Sequence, residues 1–222
     1  MKINVLAPDI FEIEDFLTVE EQELVLNFAK TINEPDWFPE PSSNDIYIKE
    51  KEGLLSLDHA DSVKLNYKQG FFHGKRYCGQ MPLVFEKIDE KIKSLFHSYY
   101  IIDKVNFHRH LKGHSHKPHK DYDPINQKWL MDQYIRYGIV IYFNDDYSGG
   151  ALEYPELGII HKPKSRSLLM HAGNILHGTT EVEDDVVRYF STTFVKGNLE
   201  KPVILNKDLF GDIEQSDGHV YI

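Results

Sequence analysis

A chain of 222 residues, 41% apolar and 27% charged, is long enough to bury one sizeable core and has the composition of an ordinary globular protein. Thirty-five acidic against 25 basic side chains leave a formal charge of −10, which excludes a broad basic face for nucleic acid but not a local basic pocket for a small anion. The lone Cys78 excludes an internal disulfide and cysteine-based zinc motifs. The opening MKINVLAPDIFEIEDFL interleaves acids with its apolar residues and reads as neither signal peptide nor membrane span, so the expectation is a cytoplasmic chain with no membrane and no nucleic-acid partner.

Along the chain, alternation over residues 3–17 predicts a strand or two leading into a helix. Thr18 followed by Glu21 has capping-box spacing, and Leu24, Val25, Phe28 and Ile32 recur on one face of the helix beyond it. NEPDWFPEPSSND (33–45) reads as a loop, and 46–80 as irregular, with KQGFFHGK marking a turn. A second helix is predicted over 82–98, where Leu83, Ile88, Ile92 and Leu95 form a stripe. After Tyr100 short β-branched and aromatic runs separated by Gly, Asn and Asp predict strands at 103–111, 134–143, 150–154, 157–162, 166–171, 179–183 and 187–196. The tail, 199–222, has no pattern.

This order predicts a mainly β protein with flanking helices: a double-stranded β-helix (jelly-roll) barrel with the N-terminal helices packed on one sheet. One domain over 1–222 is expected, with supporting elements in 1–100, a barrel core in 101–198 and a tail in 199–222. The mouth of such a barrel commonly holds a ligand or a metal.

HRHLKGHSHKPHKDYD (108–123) carries five of the chain's twelve histidines and falls where the first barrel strand runs out. Two imidazoles and one carboxylate on one face leave three open positions on an octahedral metal. A His-x-Asp pair on an extended strand supplies two of these donors, because residues i and i+2 point the same way. His59-Ala60-Asp61 and His119-Lys120-Asp121 both have the spacing, but only the second has barrel strands after it. The third donor must come from a distant strand, with His161, His171 and His177 available. His161 before Lys-Pro-Lys reads as a strand end in solvent. Arg188, on VVRYFSTTFV, is costly to bury unless it meets an anion, and a carboxylate held by both arms of the guanidinium is its natural partner.

Together FHRHLKGHSHKPHKDYD, IYFNDDYSGGALEYPELGIIHKPKSRSLLMH, ILHGTTEV and RYFSTTF, with the lead-in PDIFEIEDFLTVEEQELVLNFAK, resemble the iron(II)- and 2-oxoglutarate-dependent oxygenases of the prolyl 4-hydroxylase type over about residues 7–196. The resemblance implies iron ligation by His119, Asp121 and His177. It implies that Arg188 holds the distal carboxylate of 2-oxoglutarate, helped by the phenol of Tyr142, with Thr192 on the same strand face as Arg188. His171 is then a packing residue beside the site, His114 and His116 belong to a loop over the pocket, and His108 to the far strand face. His110 stands where the family usually has a tyrosine, Ser165 where it has a glycine, and Phe194 where a tryptophan is frequent.

The implied activity is hydroxylation of an unactivated C–H bond using iron(II), 2-oxoglutarate and O2, a chemistry compatible with ascorbate. The motif style favours a peptidyl proline in a peptide or protein partner, over which 34–45 and 121–134 could close. Trp37, Trp129 and Tyr134 are contact aromatics in that view and packing residues in a plainer one. A free amino acid or small metabolite is an alternative substrate. A cupin-type metal dioxygenase is the rival among enzymes, but no Glu follows at cupin spacing and Arg188 is left unexplained; a non-catalytic metal-binding β-barrel module is the rival of another class.

Overall fold

The computed structural model describes residues 2–41, 72–96, 101–121, 134–197, 203–204, 206 and 220–221. Strands β1 (Lys2–Ala7) and β2 (Ile10–Glu14) form an antiparallel hairpin that feeds helix α1 (Val19–Thr31). The predicted capping box is present: Thr18 Oγ1 accepts from Glu21 N at 3.1 Å, and Glu21 Oε2 accepts from Thr18 N at 2.9 Å. After β3 (Trp37–Pro41) and β4 (Phe72–Tyr77) comes helix α2 (Leu83–Ser94). The barrel strands follow: β5 (Ile101–Ile102), β6 (Asn106–His110), β7 (His116–His119), β8 (Tyr134–Tyr142), β9 (Leu152–Tyr154), β10 (Ile159–His161), β11 (Leu168–Ala172), β12 (His177–Thr179) and β13 (Arg188–Gly197). Short strands β14 (Val203–Ile204) and β15 (Val220–Tyr221) pair in parallel.

Two sheets face each other as a jelly roll. The larger runs β1-β2-β11-β8-β13-β6-β4-β3, with β5 also on β13, and the smaller runs β10-β9-β12-β7. Alternation divides the larger sheet between two cores. One face sends Phe11, Ile13, Phe107, Ile139, Ile141, Leu168 and Met170 against Val25 and Ala29 of α1 and Val84, Phe85, Ile88 and Ile92 of α2. The other sends Ile10, Tyr142, Leu169 and Phe190 into the barrel, where they meet Leu152 and Tyr154 of the smaller sheet. Both helices therefore brace one sheet from outside and leave the barrel interior to the site. No helix among the described residues is long and apolar enough to cross a membrane.

Several expectations shift. Leu24 is 50% exposed and Leu83 71% exposed, because docking turns the Val25–Ala29 line of α1 and the Val84–Ile88 line of α2 toward the sheet. The loop expected at 33–45 begins as a short 3-10 turn, Glu34–Asp36, and becomes edge strand β3. The irregular stretch expected up to residue 80 contains β4, and the remainder of 42–71 lies outside the described residues, as does the His59–Asp61 pair. The strand expected at 179–183 starts earlier, at His177, and Val182 keeps only an isolated bridge to Gly149. The patternless tail contributes the β14–β15 pair, with Asn206 N donating to Leu95 O at 2.9 Å.

Candidate functional site

His119 ends β7, Asp121 follows two residues on, and His177 opens β12, paired directly with His119 in the smaller sheet. Antiparallel pairing therefore brings together two histidines that are far apart in sequence. Each ring has its tautomer set locally: Nδ1 of His119 is 2.9 Å from Lys117 O, and Nδ1 of His177 is 2.9 Å from Ile175 O. A carbonyl only accepts, so both Nδ1 atoms carry the proton, and in the neutral ring Nε2 is the atom left to ligate. Those Nε2 atoms lie 3.6 and 3.8 Å from Asp121 Oδ1, too far for good hydrogen bonds but suited to a common ion between them. One donor atom from each of the three residues falls within 4.8 Å of the others. This nitrogen–nitrogen–oxygen set, without thiolate, suits a divalent metal such as iron(II).

Burial raises the Asp121 carboxyl by itself, but the imidazoles of His119 and His171 outweigh it and hold the group below the usual carboxylate range. Burial, with repulsion from His171, pushes His177 down to about 3. Around physiological pH the site therefore offers an ionised carboxylate and a neutral His177, the protonation states ligation requires. His171 is buried on β11, its Nδ1 3.2 Å from the Tyr154 hydroxyl and its Nε2 3.5 Å from Asp121 Oδ2. It backs the carboxylate from the larger sheet, as expected of a neighbour to the site. Gly138 on β8 completes this wall. A Cβ there would lie 2.4 Å from Asp121 Oδ2 and 2.9 Å from His171 Nε2, so only glycine leaves room for both.

Deeper in the barrel, Arg188 is 1% exposed. Its guanidinium carbon lies 4.2 Å from the Phe190 ring centre, 5.2 Å from Tyr142 and 6.0 Å from Tyr147. Nη1 donates to His110 Nδ1 at 3.3 Å, and no carboxylate among the described residues pairs with the guanidinium. Asp184 accepts from Ser148 N and Val186 N, and Asp185 pairs with Lys112. Arg188 Nε, the Tyr142 hydroxyl and the Tyr147 hydroxyl are all buried with no acceptor among the described residues. A buried cation beside unpaired donors is costly unless an anion completes the set. Burial also pushes both phenols up, against the pull of Arg188, so both keep their protons and can donate.

The sequence-predicted residues thus fall into two groups inside the barrel: His119, Asp121 and His177 around a common point, with both histidines on the smaller sheet, and Tyr142 with Arg188 buried on the larger. Thr192 shares the interior face of β13, but its hydroxyl lies 2.9 Å from His108 Nε2. His108 is consequently not on the far face. It is buried inside, stacked on Phe190 with ring centres 5.1 Å apart. His114 sits in a tight turn, its Nδ1 accepting from Leu111 N at 3.1 Å, whereas His116 is not in a loop but opens β7 and packs on the His119 ring. His161 is not a solvent-facing strand end, since its Nε2 lies 3.1 Å from Oε2 of the buried Glu12. Trp37 is buried against Phe107 and under Arg109, while Trp129 lies outside the described residues. Sequence reading missed Tyr147 and Gly138. Their signals were a tyrosine just before a Gly-Gly step and a glycine inside an apolar strand.

No family model and no curated protein sequence matches the chain. Solved structures do match. A viral collagen prolyl hydroxylase from Paramecium Bursaria Chlorella virus-1, in complex with 2-oxoglutarate, is similar at 14% identity over 86% of this chain and 97% of its own, with a TM-score of 0.55. HygX from Streptomyces hygroscopicus, with nickel and 2-oxoglutarate bound, is similar at 13% identity over 97% of this chain and 92% of its own, with a TM-score of 0.53. The jelly roll described above is the fold these two proteins share with the chain.

Proposed function

We propose that the protein is an iron(II)- and 2-oxoglutarate-dependent oxygenase that hydroxylates an unactivated C–H bond. The observation that carries this reading is the presence in one barrel of the His119–Asp121–His177 cluster, its histidines on the smaller sheet, and a buried Arg188 on the facing larger sheet that pairs with no carboxylate among the described residues. A cupin-type dioxygenase or a plain metal-binding barrel gives the guanidinium no work.

In this reading His119, Asp121 and His177 hold iron(II), and Arg188 with Tyr142 holds the far carboxylate of 2-oxoglutarate. Tyr142 and Gly138 are four residues apart on β8 with Val140 between them on the same face, so about 13 Å of strand separates the anion pocket from the wall behind Asp121. An extended five-carbon diacid, bonded to metal at one end and hydrogen-bonded at the other, spans a gap of that order. When bound, iron(II) and 2-oxoglutarate supply the activation of O2 and the oxidation of the C–H bond. The chain's own part is geometric and electrostatic. Asp121 and the two histidines fix three positions on one side of the metal. His171 and Gly138 back the carboxylate. Phe190, Leu169 and Val140 belong to the apolar cluster around Tyr142 inside the barrel and limit water there.

The likeness to a collagen prolyl hydroxylase favours a peptidyl proline as the substrate. A small molecule is the second reading, favoured by the likeness to HygX, whose structure with hygromycin B also matches at a TM-score of 0.52. The burial of Trp37 removes one aromatic from the peptide-contact set. Incubating the protein with proline-containing peptides, free amino acids and hygromycin B tests both. Succinate formation that depends on iron(II), 2-oxoglutarate and one of these compounds supports the reading and picks the substrate class. Absence of iron-dependent 2-oxoglutarate consumption in every mixture sinks it.

A further inference from the structure

Tyr147 lies in the turn between β8 and β9 and is 1% exposed, yet its hydroxyl proton finds no acceptor among the described residues, its neighbour Arg188 having donors only. A buried phenol is normally paired, because it gives up its water on folding. The turn around it is otherwise well tied. Lys162 Nζ donates to the Tyr147 carbonyl and sits 4.7 Å from the centre of its ring, and Ser148 N donates to Asp184 Oδ2 at 2.8 Å. Gly150, at φ 59°, forms the seat. A Cβ there would come within 3.0 Å of both Tyr147 Cε2 and Arg188 Cδ, so the absence of a side chain at 150 lets the phenol and the guanidinium lie together. The backbone is thus shaped to bury this ring beside Arg188 and leaves its hydroxyl without work in the ligand-free chain.

We propose that Tyr147 is a further co-substrate-binding residue, whose hydroxyl donates to the distal carboxylate of 2-oxoglutarate beside Tyr142 and Arg188. This rests on the oxygenase reading above and deepens it. Arg188 Nε and the two phenols are buried donors of this pocket that find no acceptor among the described residues, and one carboxylate offers enough lone pairs for all of them. The pocket has a single positive charge and two neutral donors, so it suits a single carboxylate. A 2-oxo acid with no second carboxylate would leave every one of these donors unpaired, which makes the pocket selective as well as tight.

The test is Tyr147→Phe, which keeps the ring on its Gly150 seat and removes only the hydroxyl. Binding of 2-oxoglutarate and of pyruvate to the iron(II)-loaded protein is measured by calorimetry without O2, and the thermal midpoint of the ligand-free protein is measured alongside. Pyruvate has the same chelating end and no distal carboxylate. The expected result is a loss of roughly five- to thirty-fold in 2-oxoglutarate affinity, no change for pyruvate, and a ligand-free midpoint that holds or rises because an unpaired buried hydroxyl has gone. A lowered ligand-free midpoint with unchanged 2-oxoglutarate affinity overturns the proposal and makes the hydroxyl structural. If the unaltered protein binds 2-oxoglutarate no better than pyruvate, the oxygenase reading itself fails and the proposal falls with it.

Discussion

Arg188 Nη1 donates to His110 Nδ1 across 3.3 Å, with both side chains buried. A guanidinium has donors only, so the contact requires a lone pair on Nδ1 and places the His110 proton on Nε2. Burial first, then the charge of Arg188 and the neighbouring His114, His116 and His108, hold the His110 pKa well below its ordinary value. His110 is therefore a neutral acceptor against the fork of Arg188.

That neutrality has a pH consequence for the metal-free protein. An unfolded histidine takes up a proton near pH 6.5, whereas folded His110 refuses it, so the native state binds fewer protons and stability falls as the pH drops below about 6.5. His177, held at about 3, acts in the same direction, while His119, raised by Asp121 and the Lys117 carbonyl despite its burial, opposes it. His110→Gln keeps an acceptor and removes one of these groups. Urea midpoints measured between about pH 5 and 7 should then depend less steeply on pH than in the unaltered protein. Parallel slopes would mean that His110 takes up its proton in the folded chain as it does in the unfolded one.

Arg188→Met should separate anion binding from metal binding. It keeps much of the apolar stem and loses the fork, so 2-oxoglutarate affinity should fall by roughly ten- to over a hundred-fold. Iron(II) content should not change. The ligand-free protein should stay folded, because the lost group is a buried cation with no carboxylate partner among the described residues. Calorimetry with 2-oxoglutarate, paired with metal analysis of the same sample, reads both quantities. An unfolded variant would identify Arg188 as a structural cation instead.

Alanine at His119, Asp121 or His177 should each lower iron(II) affinity by roughly a hundred-fold or more, exceeding the usual cost of losing an outer partner. His114→Ala should leave it nearly unchanged, since that ring is engaged with the Leu111 amide. His171→Gln should retain one iron per chain at saturating metal and weaken binding by about ten-fold, the outer partner of Asp121 having been altered. Metal titrations followed by equilibrium dialysis distinguish the three behaviours. Loss of stoichiometric metal in the His171 variant alone would reassign the ligand.

Gly138→Ala should impair the metal site from across the barrel. The new methyl would press on Asp121 Oδ2 and His171 Nε2, so the carboxylate must swing away or the strands must part. The expected outcome is weaker iron(II) binding together with a stability loss of about 1–3 kcal/mol in the metal-free protein. Denaturant unfolding and metal titration on one preparation check both. Ordinary metal affinity in this variant would show that the carboxylate does not need its present place.

Residues close along the chain were legible from the sequence, and those joined by distant pairing were not. The capping box of Thr18 and Glu21 and the alternating runs of β8 and β13 follow from backbone geometry repeating over a few residues. The grouping of His177, Arg188 and Tyr142 with them came from family resemblance, because nothing local ties these residues together. Only the tertiary structure decided which helical line faces the sheet, turning Ala29 inward and Leu24 outward. It made a paired edge strand of proline-bearing Trp37–Pro41, since an edge tolerates missing amide donors. Parity placed His108 and His110 on one face, but the register of β6 against β13 made that face the interior, beside Arg188 and Phe190. Barrel closure set His161 on Glu12 and the Tyr147 hydroxyl in the Arg188 pocket. Periodicity records the conformation of each segment. The meeting of side chains depends on sheet register and closure, which are set by the packing of the whole chain.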